Sequence, residues 1–266
     1  MPAISVKNLT KHYGTLKAVD DISFEVPAGI TFAFLGPNGA GKTTTIKMLT
    51  TLLHPTSGTI SVNGFDPIKK ASDTRRSFGI VFQDPSLDDE LTAYENMFLH
   101  AGLYGVPRSE SPKKIKELLN FVELWDRRDS LVKTFSGGMK RRLEIARGLL
   151  HTPAILFLDE PTVGLDPQTR NHIFSYIKKL NKERGLTVFF TTHYMDEVER
   201  TADHVAIIDH GKMVANDTVQ GIIQKSGTPT LEEAFIKLTG HHIRDEEAGA
   251  GDQMRQMRRV WTGGRK

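Results

Sequence analysis

The run Gly36-Pro37-Asn38-Gly39-Ala40-Gly41-Lys42-Thr43 follows directly on the apolar stretch Thr31-Phe32-Ala33-Phe34-Leu35. A strand that feeds a G-x-x-x-x-G-K-[ST] loop and then a helix is the sequence mark of a phosphate-binding unit in an α/β protein. The glycines let the backbone close around a polyphosphate, with successive N–H groups turned inward as an anion nest. Lys42 supplies a point charge to the β- and γ-phosphates, and the Thr43 hydroxyl is placed to ligate Mg²⁺. A helix is expected to start near Lys42, so that its positive dipole end also faces the anion. Ile46, Leu49 and Leu53 recur behind the loop at helical spacing, and His54-Pro55 closes that run. The nucleotide-binding stretch reads as Gly36, Pro37, Asn38, Gly39, Ala40, Gly41, Lys42, Thr43 and Thr44.

A second chemical feature is Leu156-Phe157-Leu158-Asp159-Glu160, an apolar strand that ends in two carboxylates. Such a strand delivers acidic groups to a sheet edge beside a bound phosphate. Asp159 is expected to hold Mg²⁺, and Glu160 to orient or deprotonate an attacking water. Phosphoryl transfer needs positioning and charge neutralisation more than covalent help, and these groups supply both. A third is Thr134-Phe135-Ser136-Gly137-Gly138-Met139, which precedes a basic helix. Ser136 is a natural N-cap and the glycines expose backbone amides, which makes a second anion site at a helix N-terminus. Met139, Leu143, Ala146 and Leu150 form the apolar stripe of this helix, with Lys140, Arg141 and Arg142 expected to face elsewhere. One nucleotide needs one phosphate loop. The surplus site is explained economically if it caps the γ-phosphate bound by another copy of the chain.

The chain has 266 residues, no cysteine and a formal net charge of +3. That length suits one large domain or two small ones. The absence of cysteine excludes disulfides and thiolate metal sites, and fits a reducing compartment. The small net charge, without a basic stripe interleaved with aromatics, argues against a nucleic-acid partner. The N-terminus lacks a basic region followed by an apolar core, so it does not read as a secretory signal. No apolar stretch approaches the roughly 18 residues of a membrane span.

Residues 3–30 and 58–64 read as short strands with turns, forming an antiparallel layer, and Ser77 to Gln83 as a core strand. A helical section follows over 84–150. There Thr92-x-x-Glu95 is a capping box, with Met97, Ala101 and Tyr104 on one helical face. Ser111-Pro112 reads as an N-cap and first-turn pair. From 152 onward, strands and helices alternate as a parallel sheet requires. Thr230-x-x-Glu233 caps a last helix that stops at Gly240. The tail 241–266 mixes charges of both signs and is expected to be disordered.

Taken in order, loop 36–43, Gln83, the Ser-Gly-Gly stretch at 135–139, the acidic strand end at 155–160 and His193 resemble the ATP-binding subunit of an ATP-binding-cassette (ABC) transporter. The resemblance spans about residues 3–240. It implies an α/β fold: a P-loop NTPase core with a mostly parallel sheet, an N-terminal antiparallel β layer and an inserted α-helical subdomain. It implies ATP and Mg²⁺ as ligands, hydrolysis as the activity, and catalytic roles for Lys42, Gln83, Glu160 and His193, with Thr43, Gln83 and Asp159 at the metal. Tyr13 sits where the family stacks an aromatic ring on adenine. Gln83 matches the glutamine that reaches metal and lytic water, and His193 the histidine on the γ-phosphate. Asp166, in Val163-Gly164-Leu165-Asp166, matches the loop that crosses the dimer. Partners implied are a second, head-to-tail copy and a separate transmembrane permease that keeps the chain at the cytoplasmic membrane face. Leu87, Leu91 and Phe98 are expected to be exposed and are candidate permease contacts, with packing inside the helical section as the alternative. The style of the sequence looks most like drug and antibiotic-resistance exporters. Phe135, Met139 and Gly164 depart from the family's usual leucine, glutamine and alanine. A soluble ABC-type ATPase serving a non-membrane assembly partner is the alternative. A GTPase reading is disfavoured, because Asn181-Lys182-Glu183-Arg184 lacks the aspartate of a guanine-reading motif.

Overall fold

A computed structural model describes residues 1–240, so the expectation for the tail 241–266 lies outside the described residues. The chain opens with β1 (Ile4–Tyr13) and β2 (Leu16–Val26), an antiparallel pair, and continues through β3 (Thr31–Leu35) into α1 (Lys42–Leu49). Next come β4 (Ser57–Val62), α2 (Ala71–Ser77), β5 (Phe78–Val81), α3 (Ala93–Leu103), α4 (Ser111–Phe121) and α5 (Gly137–Gly148). The strand–helix alternation then runs β6 (Ile155–Asp159), α6 (Pro167–Arg184), β7 (Thr187–Thr192), α7 (Met195–Thr201), β8 (His204–Asp209), β9 (Lys212–Thr218), α8 (Val219–Ser226) and α9 (Leu231–Thr239).

These strands make two sheets, a three-stranded one in the order β2-β1-β4 and a six-stranded one in the order β5-β6-β7-β3-β8-β9. The larger is parallel except for β9, which pairs antiparallel with β8 through the turn at His210-Gly211. Every residue of β3, β6 and β7 is buried. That is what a parallel sheet covered on both faces requires, and it explains why these strands read as continuous apolar runs.

Side chains alternate across the sheet with period two. Phe32, Phe34, Phe157 and Phe189 point to one face, into a core shared with Ile4, Leu9 and Phe24 of the antiparallel sheet and Ile46 and Leu49 of α1. The rings interlock: Phe32 and Phe189 stack at 5.5 Å between centroids, and Phe24 lies 5.6 Å from Phe34. Ala33, Leu35, Leu156, Leu158, Val188 and Phe190 point the other way, into a core built with α3 to α6 and the C-terminal helices. The six-stranded sheet is thus the middle layer, and the antiparallel layer expected from residues 3–30 and 58–64 covers one side of it.

Local rules hold at several helix starts. Thr92 and Glu95 form the reciprocal capping box, and Ser136, Asp166 and Thr230 each accept a backbone N–H three residues on. Three expectations are corrected. Ser111 is the first residue of α4 rather than its cap, because its hydroxyl donates to Pro107 O at 3.0 Å, inside the preceding turn. Leu53 lies outside α1, which ends at Leu49 where Thr50 caps it and Thr51 turns into the left-handed region at φ 68°. Arg141 does not face away from the core. It is 6 % exposed, donates to Gln83 O at 2.9 Å and to Phe82 O, and pairs with Glu144 at 3.1 Å. Charge alone had marked it as a surface residue, but the carbonyls after β5 give its guanidinium buried partners.

Candidate functional site

Parallel register aligns the C-terminal ends of the central strands. Leu35 stands opposite Thr192, Asp159 opposite Thr191, and Val81 opposite Leu158. The loops that follow β3, β6, β7 and β5 therefore leave from one edge of the sheet. They carry loop 36–43, Glu160, His193 and Gln83 to that edge, where α/β sheets bind ligands.

Loop 36–41 is fixed by contacts only glycine tolerates. A Cβ on Gly36 would lie 2.3 Å from Ile208 O, and one on Gly41 would lie 2.5 Å from Ala18 O. Gly41 has φ 107°, a backbone that L side chains rarely adopt, and no side chain caps α1 behind it. The first-turn amides of α1 are thus presented without a competing side-chain acceptor, as an anion-binding N-terminus needs. Lys42 folds back across the loop and donates to Gly36 O at 2.7 Å and Pro37 O at 3.0 Å.

The two carboxylates at the end of β6 part company at the backbone. Asp159 is the last strand residue, whereas Glu160 turns to φ 47°, in the left-handed region. A non-glycine residue held there costs on the order of 1–3 kcal/mol and is retained where surrounding bonds enforce it. Thr191 does so: its hydroxyl donates to Asp159 Oδ1 at 2.6 Å and accepts from Glu160 N at 2.9 Å. Asp159 also accepts from Thr43 Oγ1 at 3.4 Å. Glu160 points instead to Lys42 Nζ at 3.1 Å and His193 Nδ1 at 2.9 Å.

The two carboxyls therefore titrate in opposite senses. Burial pushes Asp159 up, against hydrogen bonds from Thr191 and Thr43. Burial acts the same way on Glu160, but the His193 hydrogen bond and the Lys42 charge outweigh it and hold Glu160 below its usual range. Glu160 is thus an ionised base held by two donors. Asp159 and Thr43 together form a pair of hard oxygen donors. Among the described residues no cluster of three or more His, Cys, Asp or Glu could cage a metal. Two oxygen donors beside a phosphate loop are what Mg²⁺ takes when its other ligands are water and phosphate, so the residues present fit that ion.

The other sequence-derived candidates lie farther out. Gln83 is exposed two residues beyond β5, its carbonyl held by Arg141. Tyr13 ends β1 at a hairpin tip, 48 % exposed, with the Lys11 ammonium 5.3 Å from its ring centroid. Ser136 caps α5, accepting from Met139 N at 3.3 Å. Gly137 and Gly138 pack against the segment Leu165 to Thr169, where a Cβ on Gly138 would lie 2.4 Å from Thr169 Cγ2. Asp166 caps α6, accepting from Thr169 N at 3.0 Å. Met139 packs as an apolar residue against the larger core. Among the described residues no hydrogen bond joins Ser136, Gly137 or Gly138 to Lys42 or Glu160, so the N-termini of α1 and α5 stand apart within the chain.

Sequence reasoning missed Thr191, which holds both carboxylate positions. It also missed Glu197, a 2 % exposed carboxylate that accepts from Thr162 and Thr192 hydroxyls at 2.7 Å each. The only available signal for Glu197 was a glutamate at a period matching the inward Val198 and Thr201, and its meaning depends on a contact between distant loops.

A three-layer α/β fold with a phosphate loop, a carboxylate pair and a histidine on one sheet edge defines a P-loop nucleoside triphosphatase. A family model described as ABC transporter matches residues 19–163. The chain is 43 % identical over 242 residues to the linearmycin resistance ATP-binding protein LnrL of Bacillus subtilis (strain 168), covering 91 % of this chain and 76 % of that protein. It is also 43 % identical over 229 residues to the daunorubicin/doxorubicin resistance ATP-binding protein DrrA of Streptomyces peucetius, covering 86 % and 69 %. Among solved structures, an ATP-binding subunit of an ABC transporter superposes with TM-score 0.80 at 32 % identity, covering 89 % of this chain and 99 % of that one. A dimeric ATP-binding cassette in a post-hydrolysis state, bound to ADP and Pi, matches with TM-score 0.72 at 29 % identity over 81 % and 98 %. The chain belongs to the ABC transporter family, as one of its ATP-binding, ATP-hydrolysing subunits.

Proposed function

We infer that this chain is the motor subunit of an exporter, working as a head-to-tail pair that encloses two ATP molecules. Each site combines Lys42, Thr43, Gln83, Asp159, Glu160 and His193 of one chain with Ser136, Gly137 and Gly138 of the other. The observation that carries this reading is the separation of the two anion-binding termini: α1 heads one and α5 heads the other, and among the described residues no hydrogen bond brings them together. A second copy supplies the missing half.

Within the site, loop 36–44 and Lys42 bind the phosphates and Tyr13 meets the base; Thr43, Asp159 and Gln83 would hold Mg²⁺, which would neutralise charge on the reacting phosphate. Glu160 is ionised and aimed by His193 Nδ1, so it accepts a hydrogen bond from the lytic water and takes its proton. His193 and Ser136 reach the γ-phosphate from opposite chains. Closure is favoured because that phosphate touches both halves, and hydrolysis removes the differential contact. Asp166, at the head of α6 beside Gly137 and Gly138, lies on the face that meets the second copy.

Export is supported by the resistance proteins it resembles, and a transmembrane partner by the surface of α3. Phe98, Leu99 and Leu103 are 40 %, 57 % and 75 % exposed there. Leu103 also lines a cavity of about 470 Å³ with Arg75, Arg76 and Tyr104. Of the contacts expected from sequence, Phe98 belongs to this face, while Leu87 and Leu91 are half-buried, Leu87 against the core. No helix among the described residues is long and apolar enough to cross a membrane. In this reading the chain is held at the cytoplasmic membrane face by its partner. Lys42→Ala is expected to abolish ATP binding, and the parent chain to co-sediment with membranes only when a transmembrane permease partner is co-expressed. Unchanged nucleotide affinity contradicts the phosphate-loop assignment. Persistent solubility with a soluble partner contradicts the transport reading.

A further inference from the structure

We propose that Arg170 and Glu197 are positioning residues that tie the loop 162–166 to the segment 192–194, so that seating the one seats the other. The proposal rests on the two-chain reading above, in which the loop meets the second copy and His193 meets the γ-phosphate.

Two independent connections join these segments. The first runs through Glu197, in the first turn of α7. Its Oε1 accepts from Thr162 Oγ1 at 2.7 Å and its Oε2 from Thr192 Oγ1 at 2.7 Å. Thr192 Oγ1 in turn accepts from Tyr194 N at 3.0 Å, which fixes the backbone on both sides of His193. A carboxylate buried to 2 % exposure is tolerable only with such donors, so both hydroxyls are held in place. The second connection runs through Arg170, in the first turn of α6. Its Nε donates to Leu165 O at 2.9 Å, while its guanidinium lies 4.4 Å from the centroid of Tyr194. The Tyr194 ring is 4.0 Å from the His193 ring, and His193 Nδ1 donates to Glu160.

A continuous path of contacts therefore leads from Leu165 through Arg170, Tyr194 and His193 to Glu160, and a parallel one from Thr162 through Glu197 to Thr192. Neither path passes through the phosphate loop. A shift of the loop as it meets the second chain is transmitted to the imidazole that orients Glu160. Arg170 suits the task because it donates in its plane and stacks by its face, which lysine cannot do together. Without the ties, a dimer still assembles but holds His193 in no fixed orientation.

The test compares turnover with nucleotide binding in the full chain. Arg170→Ala and Glu197→Gln are expected to lower kcat at least about tenfold while ATP affinity of the monomer stays within about twofold. Arg170→Lys is expected to be nearly as slow as Arg170→Ala. Thr162→Val and Thr192→Val should be slow, and Thr162→Ser and Thr192→Ser should recover turnover, since only the hydroxyl is at stake. Arg200→Ala is the control. Arg200 bonds Asn171 Oδ1 at 3.0 Å across the same pair of helices but reaches neither segment, so its loss should leave kcat unchanged. Parent-like turnover in Arg170→Ala or in the two valine variants overturns the proposal, as does an equal loss in Arg200→Ala. Sizing with ATP in a Glu160→Gln background separates the two readings. No dimer in that background alone sinks the two-chain site. A dimer that forms there, with or without Arg170→Ala, combined with unimpaired kcat for Arg170→Ala in the parent, sinks only the tie.

Discussion

Lys42 Nζ lies 3.1 Å from Glu160 Oε1, with both side chains over nine-tenths buried. The residue proposed to meet the phosphates and the residue proposed to meet the water are therefore ion-paired in the chain by itself. Lys42 and His193 together hold Glu160 ionised, at a depth where a lone charge would be costly. A triphosphate that draws the ammonium to itself leaves Glu160 with His193 as its donor, and so frees one carboxylate oxygen for water.

Replacing the carboxylate by an amide of the same shape tests that arrangement. Glu160→Gln should bind ATP with near-parent affinity, lose turnover by a factor of about a hundred or more, and accumulate an ATP-dependent dimer. Size-exclusion chromatography with ATP, followed by turnover, checks both halves. A variant that stays monomeric in saturating ATP contradicts the paired site.

Ser136→Arg addresses the other terminus. It removes the α5 cap and places bulk where the second chain's phosphate would sit, away from Lys42. Monomer binding of ATP should be kept and hydrolysis lost, with a stability cost of about 1 kcal/mol from the missing cap. Normal turnover would show that α5 takes no part in the site.

Thr191→Val keeps shape and removes one hydroxyl. Asp159 and the Glu160 amide each lose a buried partner, at a cost of about 1–3 kcal/mol. Urea unfolding should show a lower midpoint with an unchanged slope, and turnover should need more magnesium. An unmoved midpoint would mean that neither bond contributes.

His100 sets a pH dependence away from the site. Its ring lies 4.7 Å from Tyr104, which stacks on His151 at 4.1 Å. Burial, with repulsion from Arg147 and His151, pushes its pKa from 6.5 down to about 4. The folded chain thus keeps His100 neutral where the unfolded chain would protonate it. Its contribution is complete above pH 6.5 and is lost as pH falls toward 4. The loss is at most about 1.4 kcal/mol per pH unit, and less because the ring is partly exposed. His100→Gln should flatten the fall of Tm across that window; a curve parallel to the parent's would refute it.

The sequence was most legible where chemistry is local. Loop 36–43, the carboxylates closing β6 and the caps Thr92, Ser136, Asp166 and Thr230 depend on neighbours a few residues away, and spacing alone reveals them. The layers followed from runs such as Thr187 to Thr192, whose lack of polar alternation already implied burial on both faces. What could not be read depends on partners far along the chain. Arg141 looked like surface charge because nothing nearby announces the carbonyls of Phe82 and Gln83. The left-handed turn at Glu160 is imposed by Thr191, on another strand. The exposure of Leu99 and Leu103 depends on which face of α3 meets α4 and α5, which weak amphipathicity does not settle.

Gly36 and Gly41 press against the carbonyls of Ile208 and Ala18, with no room for even a methyl group. The cradle is thereby packed directly against β8 and β2. In the proposed pair, with the cradle packed so closely, nucleotide exchange follows the parting of the two subunits, and a membrane partner that governed their parting would also govern the tempo of fuel consumption.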